Sequence, residues 1–177
     1  IYESIDCVVE KGDSTARLQL TPPGIADEIR EIRGEHLSIT GIPEKDGAYT
    51  HLLTSRRLNH VYNSSGQQFD AVKEKGTTNH AYMHPDDLLK LEIDSGDLVQ
   101  ISGPGGKITA VTKAEGTIQQ GVCSLAHGWG FHPGYDDNEN VREIGASSNR
   151  IISDEAEYDP ISGMARQSAI PVNIAAL

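Results

Sequence analysis

Residues 49–66, YTHLLTSRRLNHVYNSSG, carry a dense set of hydrogen-bond donors: Thr54, Ser55, Arg56, Arg57, Asn59, His60, Asn63, Ser64 and Ser65, closed by Gly66. A strand ending at Leu53 delivers them. Guanidinium groups bind phosphate oxygens bidentately, and backbone N–H groups add to such a site. Two adjacent arginines in an acidic chain therefore read as a local phosphate site. The competing reading is an exposed loop whose arginines balance acidic surface elsewhere, since exposed ion pairs need no function.

A second segment, SLAHGWGFHPG at 124–134, sets Trp129 between Gly128 and Gly130, next to His127 and directly after an apolar run. Glycines let a backbone approach a ligand closely, and an indole offers a flat face with one donor. A tryptophan plugging a barrel end has the same local sequence. A third segment, GASSNRIISDEAEYDPISG at 145–163, carries Asn149 between Ser148 and Arg150, and Asp159-Pro160 ahead of Ser162-Gly163. An amide and a carboxylate together can read a purine or pterin edge; they can equally make local turns, of which Asp-Pro is a common opener.

Other chemistries lack their residues. The seven histidines form neither HExxH nor a Cys-paired set, and His80 and His84 alternate along a strand, so no protein-bound metal is expected. GxSxG, GxGxxG and GxxxxGK[ST] do not occur. Cys7 and Cys123, with no CxxC, give no disulfide framework and leave the compartment open, cytoplasmic or periplasmic. A net charge of −11, from 15 basic and 26 acidic residues, repels polyanions and argues against nucleic acid as partner. Residues 135–160 hold eight acids against Arg142 and Arg150, which reads as an exposed excursion. No apolar run reaches the roughly 18 residues of a membrane span. Starting at Ile1 rather than Met, the chain reads as a processed protein or a piece of a longer one.

The elements that must carry these segments are short. At 177 residues, 37% hydrophobic with 18 glycines and nine aromatics, the chain suits one domain of small strands and tight turns. Residues 1–20 alternate loosely around EKGDSTA, as two short strands or a linker. Thr21-Pro22-Pro23 opens a short amphipathic helix with Ile25, Ile29 and Ile32 at helical spacing before Gly34. Strands follow at HLSIT, YTHLLT, HAYMH, DLVQIS, KITAVT, VCSLA and AIPVNI. Pro85, with Asp86 and Asp87 in the first turn, starts a helix of barely two turns, with Leu88, Leu89 and Leu91 as its apolar residues. Asp94-Ser95-Gly96-Asp97 and Gly103-Pro104-Gly105-Gly106 are turns. A closed barrel would leave so many short strands without edges.

Taken in order, TSRRLNHVYNSS, HPDDLLKLEIDSGDLVQISGPGGKITAVT, GVCSLAHGWG and SSNRIISDEAEYDPISGMARQSAIPVNI resemble the C-terminal, molybdopterin dinucleotide-binding domain of the dimethyl sulfoxide reductase family of molybdopterin oxidoreductases. The resemblance covers residues 50–175. It implies a mainly β fold, a six-stranded double-psi β-barrel with one or two short helices, over residues 36–177, with 1–35 as a lead-in from a preceding domain. It further implies bis-molybdopterin guanine dinucleotide, holding molybdenum or tungsten, covered by loops at one barrel end. Thr54, Arg56, Arg57, His60, Asn63 and Ser64 match the first cofactor loop, and His127, Gly128 and Trp129 the second. Asn149 and Asp159 match the final loop, with Gln167 where a further polar contact is expected. The metal ligand and any iron–sulfur cysteines belong to other domains of the parent enzyme, so no catalytic residue is expected here, and the substrate is unreadable. Partners are then those remaining domains, with iron–sulfur electron-transfer proteins compatible.

Two other uses of such a barrel compete. A self-cleaving pyruvoyl decarboxylase needs Gly-Ser, which is missing from this chain. A free-standing adaptor or interaction module would not need its Arg, Asn, Ser and Trp loops at one barrel end.

Overall fold

The computed structural model describes residues 21, 23–34, 49–130, 137–153, 155 and 158–177. The expected strand HLSIT and the alternation over 1–20 lie outside them. The chain forms two compact units, Ile1–Glu35 and His36–Leu177. In the first, α1 spans Pro23–Gly34, and Ile29 and Ile32 of its apolar stripe are exposed.

The second unit is a closed barrel of six strands: β1 (His51–Arg56), β2 (Ala81–Met83), β3 (Leu98–Gly103), β4 (Gly106–Ala114), β5 (Val122–Ala126) and β6 (Ser168–Ala176), in the order β1-β5-β2-β4-β3-β6. Two pairs are parallel, β1 with β5 and β2 with β4, and the other neighbours antiparallel. Side chains alternate in and out along β1, β2 and β3, whereas β4 is buried continuously over Ile108–Thr112 and β6 carries an irregularity at Ala169. Leu53, Ala81, Met83, Val99, Ile101, Cys123, Leu125, Ile170 and Val172 fill the interior, each at most 2% exposed. Closure removes the unpaired edges that such short strands would otherwise present. Burial pushes the Cys123 thiol up to about 12, so it packs as a small hydrophobe rather than reacting.

Strand direction decides where the loops go. The C-terminal ends of β1 and β5 lie together because the strands are parallel, with Arg56 beside Ala126. Since β2 runs against β5, and β6 against β1, both start at that same end. The β3–β4 hairpin turn at 103–106 lies there too, because β4 is parallel to β2 and β3 antiparallel to β4. The connections 57–80, which carries α2 (Asp70–Lys73), 103–106 and 127–167 therefore all begin and end at one end, here called the mouth.

At the opposite end lies α3 (Pro85–Lys90), with Pro85 in the first turn and His84 Nδ1 accepting from the Asp86 N–H at 3.1 Å. Leu88 is buried but Leu89 is 78% exposed, so the apolar face is narrower than the leucine run suggested. The buried Asp87 carboxylate accepts from Gly121 N–H at 2.6 Å and from Lys90 Nζ at 3.2 Å. Beside it stands His51, buried, with Nδ1 2.8 Å from Thr50 Oγ1 and Nε2 3.9 Å from Asp87 Oδ2. Burial lowers the His51 pKa, although Asp87 opposes it.

The acidic stretch 135–160 is not simply an exposed excursion. It contains α4 (Asp137–Ile144) and a 3₁₀ turn, Ser148–Ile151, and buries Val141, Ala146, Ser148 and Ile151. Apolar residues spaced among the acids give the segment an inner face that a charge count misses. The GPGG turn also does more than reverse the chain. A Cβ on Gly105 would stand 2.1 Å from Ile152 O, and one on Gly106 2.8 Å from Arg150 O, while Gly105 N–H donates to Ile151 O at 3.1 Å.

Gly105→Ala is expected to lower unfolding free energy by about 2–3 kcal/mol, whereas Gly116→Ala, in open space, stays within about 0.5 kcal/mol. Urea titration of both variants checks this. A pH effect follows from His51. Its folded pKa is below the unfolded value of about 6.5, so the unfolded chain takes up a proton first and stability falls as pH drops below about 6.5. The urea midpoint should fall between about pH 7.5 and 5.5, and fall less in His51→Gln.

Candidate functional site

The first loop enters the mouth where β1 ends, and its two arginines take different partners. Ala81 and Met83 point inward, so Tyr82 between them faces the outer wall, and Arg56 lies over its ring, 3.8 Å from the centroid. Lys113 Nζ stands 5.5 Å from the same centroid, and His80 makes an edge contact at 6.0 Å. Arg57 instead donates to Asn63 Oδ1 at 2.5 Å within the loop. The two arginines therefore lie apart: Arg56, the last residue of β1, takes the outer-wall side over Tyr82, and Arg57, beyond the strand, turns back onto Asn63. Thr54, level with Ser124 of β5, shares the outer-wall side with Arg56.

The first and second loops meet at Asn63. It adopts φ 54°, a left-handed conformation that asparagine tolerates, and its Oδ1 also lies 3.1 Å from His127 Nε2. A Cβ on Gly128 would stand 2.5 Å from Asn63 O and 2.9 Å from Ser64 N, so the two backbones touch where only glycine fits. Gln67 fastens the contact: its Nε2 donates to Gly128 O at 2.9 Å and to Asn63 O at 3.3 Å. Arg57, Asn63, Ser64, His127 and Gly128 are thus brought together; His60 is half-buried in the turn that precedes them.

Trp129 is 3% exposed, so its ring does not present a flat face to solvent. It packs on Gly145, where a Cβ would stand 3.0 Å from both the Trp129 Cβ and Cε3. Gly130 completes the joint, its N–H donating to Ile144 O at 3.0 Å. Buried Asn79, just ahead of β2, hydrogen-bonds to Ala126 and Ala146 and so ties the second loop to the third.

Within the third segment, Asn149 is exposed on the 3₁₀ turn, beside the hairpin glycines that pack on 150–152. Asp159 makes a local turn. Its Oδ1 accepts from Ile161 N–H at 2.8 Å and Ser162 N–H at 3.0 Å. The N–H groups of Ser162 and then Ile161 hold its pKa below the usual carboxylate range. Gln167 is exposed, and its carbonyl accepts from Ser55 Oγ at 3.0 Å. Among the described residues, no group of three His, Cys, Asp or Glu could hold a metal ion, and no helix is long and apolar enough to cross a membrane.

Sequence reasoning passed over Gln67, Asn79, Tyr82 and Gly145. Only Asn79 carried a signal, the polar run Thr77-Thr78-Asn79 after Gly76 and directly ahead of a strand.

The family described as "Molydopterin dinucleotide binding domain" matches residues 51–171. No curated protein matches the sequence. Among solved structures, acetylene hydratase from Pelobacter acetylenicus superposes with a TM-score of 0.61 at 16% identity, over 92% of this chain and 21% of that one. That likeness is one of fold, and the chain spans about a fifth of the relative's length. With most of its barrel inside the matched region, the chain belongs to the molybdopterin dinucleotide-binding domain family.

Proposed function

We propose that this chain is the domain that covers bis-molybdopterin guanine dinucleotide in a larger molybdenum or tungsten oxidoreductase, with the mouth toward the cofactor and the metal ligand supplied by another domain. The observation that carries this reading is the meeting of Arg57, Asn63 and His127 through Asn63 Oδ1, across two loops far apart in sequence. A large, anionic, hydrogen-bond-rich ligand needs such a convergent polar surface.

The residues present fit that group. Gln67 Oε1 and Trp129 Nε1, an acceptor and a donor on the residues that flank the Gly128 joint, are buried without a hydrogen-bond partner. Leaving such atoms unpaired costs about 1–3 kcal/mol each, which a polar heterocycle edge at the mouth would offset. Arg57 would meet pyrophosphate oxygens, with Asn63 fixing its guanidinium, and the Asn63–Ser64 backbone would lie along the ligand. Asn149 is exposed on the third loop and would read the base or pterin edge. Asp159 spends one carboxylate oxygen on its own turn and would offer the other. His60 and Gln167 complete the proposed contact set at its margins, and Thr54 with Arg56 would act from the outer wall. When bound, the cofactor supplies the electron-transfer chemistry, while the chain supplies binding and orientation.

Partners are then the remaining domains of the parent enzyme, and iron–sulfur electron-transfer proteins are compatible with it. The chain alone should turn over none of formate, nitrate or arsenic oxyanions.

The two arginines separate this reading from an ordinary surface. In the full-length enzyme, Arg57→Ala should weaken cofactor retention about tenfold to a hundredfold, as loss of a charge-assisted contact does. Arg56→Ala should weaken it less, and Lys73→Ala not at all. Molybdenum or tungsten and guanine nucleotide content after gel filtration measure this. Full cofactor content in Arg57→Ala would remove the first loop from the site.

A further inference from the structure

We infer that Asn79 is a positioning residue that fixes the second and third mouth loops against each other, an inference that rests on the dinucleotide reading above. Its side chain is 1% exposed and fully used. Nδ2 donates to Ala126 O at 2.6 Å and to Ala146 O at 2.9 Å, and Oδ1 accepts from Ala146 N–H at 2.7 Å. Ala126 is the last residue of β5 and leads directly into His127–Gly130; Ala146 leads into the Ser148–Ile151 turn that carries Asn149. One planar amide thus sets the spacing of the two loops.

The chemistry is specific to asparagine. Two donors and one acceptor are needed at this reach: aspartate lacks the donors, and glutamine is one methylene too long for a closed site. Gly145 matches the amide, since a Cβ there would stand 2.4 Å from Asn79 Oδ1. The preceding residues extend the fastening, Thr77 Oγ1 donating to Arg142 O and Thr78 Oγ1 to Val141 O, both at 2.7 Å. Asn79 would touch no ligand itself. Its effect on binding would pass through His127, Gly128 and Asn149, which it holds in one arrangement before the ligand arrives.

The test uses Asn79→Ala and Asn79→Asp in the 177-residue chain. Amide hydrogen exchange is followed at residues 126–129 and 146–148, against Ile101 and Ile174 in β3 and β6. Titration with guanosine diphosphate, the stable half of the proposed dinucleotide, gives the binding readout. Asn79→Ala should speed exchange at the loop positions and weaken nucleotide binding, each by about tenfold or more, while Ile101 and Ile174 stay within about twofold. Asn79→Asp should resemble it near pH 7 and recover binding toward pH 5, where the neutral carboxyl regains a donor. That pH-dependent rescue is not expected of a residue that only fills space.

Unchanged loop exchange in Asn79→Ala would overturn the inference. So would loss of protection spread evenly over the barrel in both variants, which would make Asn79 a general stability residue. If the unaltered chain failed to bind guanosine diphosphate while the local exchange pattern held, the nucleotide reading would fall and the positioning of the loops would stand.

Discussion

The loops at the mouth pack main chain against main chain, and that constraint governs the rest of this barrel end. Gly128 lies against Asn63 and Ser64, Gly130 against Ala146 and Ser147, and Gly105 against Ile152, each closer than a Cβ would allow. Backbones this close must have their polar groups satisfied locally, because water has no room to reach them. Gln67 and Asn79 do this with amides, which carry donors and an acceptor on one short arm. The loops consequently behave as parts of one surface rather than as independent excursions.

The barrel makes the arrangement possible through strand direction. Two parallel pairs in a closed six-stranded sheet bring the C-terminal ends of β1 and β5 to the end where β2, β4 and β6 begin. The opposite end is built differently, from a capped helix and the buried Asp87 carboxylate with its donors. Two basic centres at the mouth diverge, Arg56 to the outer wall over Tyr82 and Arg57 to the exposed Asn63 of the first loop, so cationic groups stand on two surfaces despite the chain's net charge of −11.

Most of the barrel was legible in the sequence because its strands are short, alternating and punctuated by glycine. VCSLA matches β5 residue for residue, and the Pro85 helix start and the turns at 94–97 and 103–106 lie where the residues indicated. The first strand runs on to Arg56, past the end expected at Leu53 or Thr54, and this sets Arg56 on the outer wall over Tyr82. Asp159 had two readings open, and its side chain makes the local turn. The burial of Trp129 depends on Gly145, and the loop-to-loop joint on Asn79 and Ala146, 67 residues apart. No local pattern encodes such pairings: the period of a strand fixes which side a residue faces, not which distant backbone it meets. The acidic stretch misled for a related reason, since a count of its charges does not register the burial of Val141, Ala146 and Ile151.

The proposed function requires that the mouth, and not the far end or the outer wall alone, take the dinucleotide. Amide hydrogen exchange on the domain, with and without molybdopterin guanine dinucleotide, tests it most directly. New protection is expected at residues 57–66, 127–130 and 147–152, with residues 84–97 and 114–121 unchanged. Protection confined to those last two segments, or to none, would contradict it.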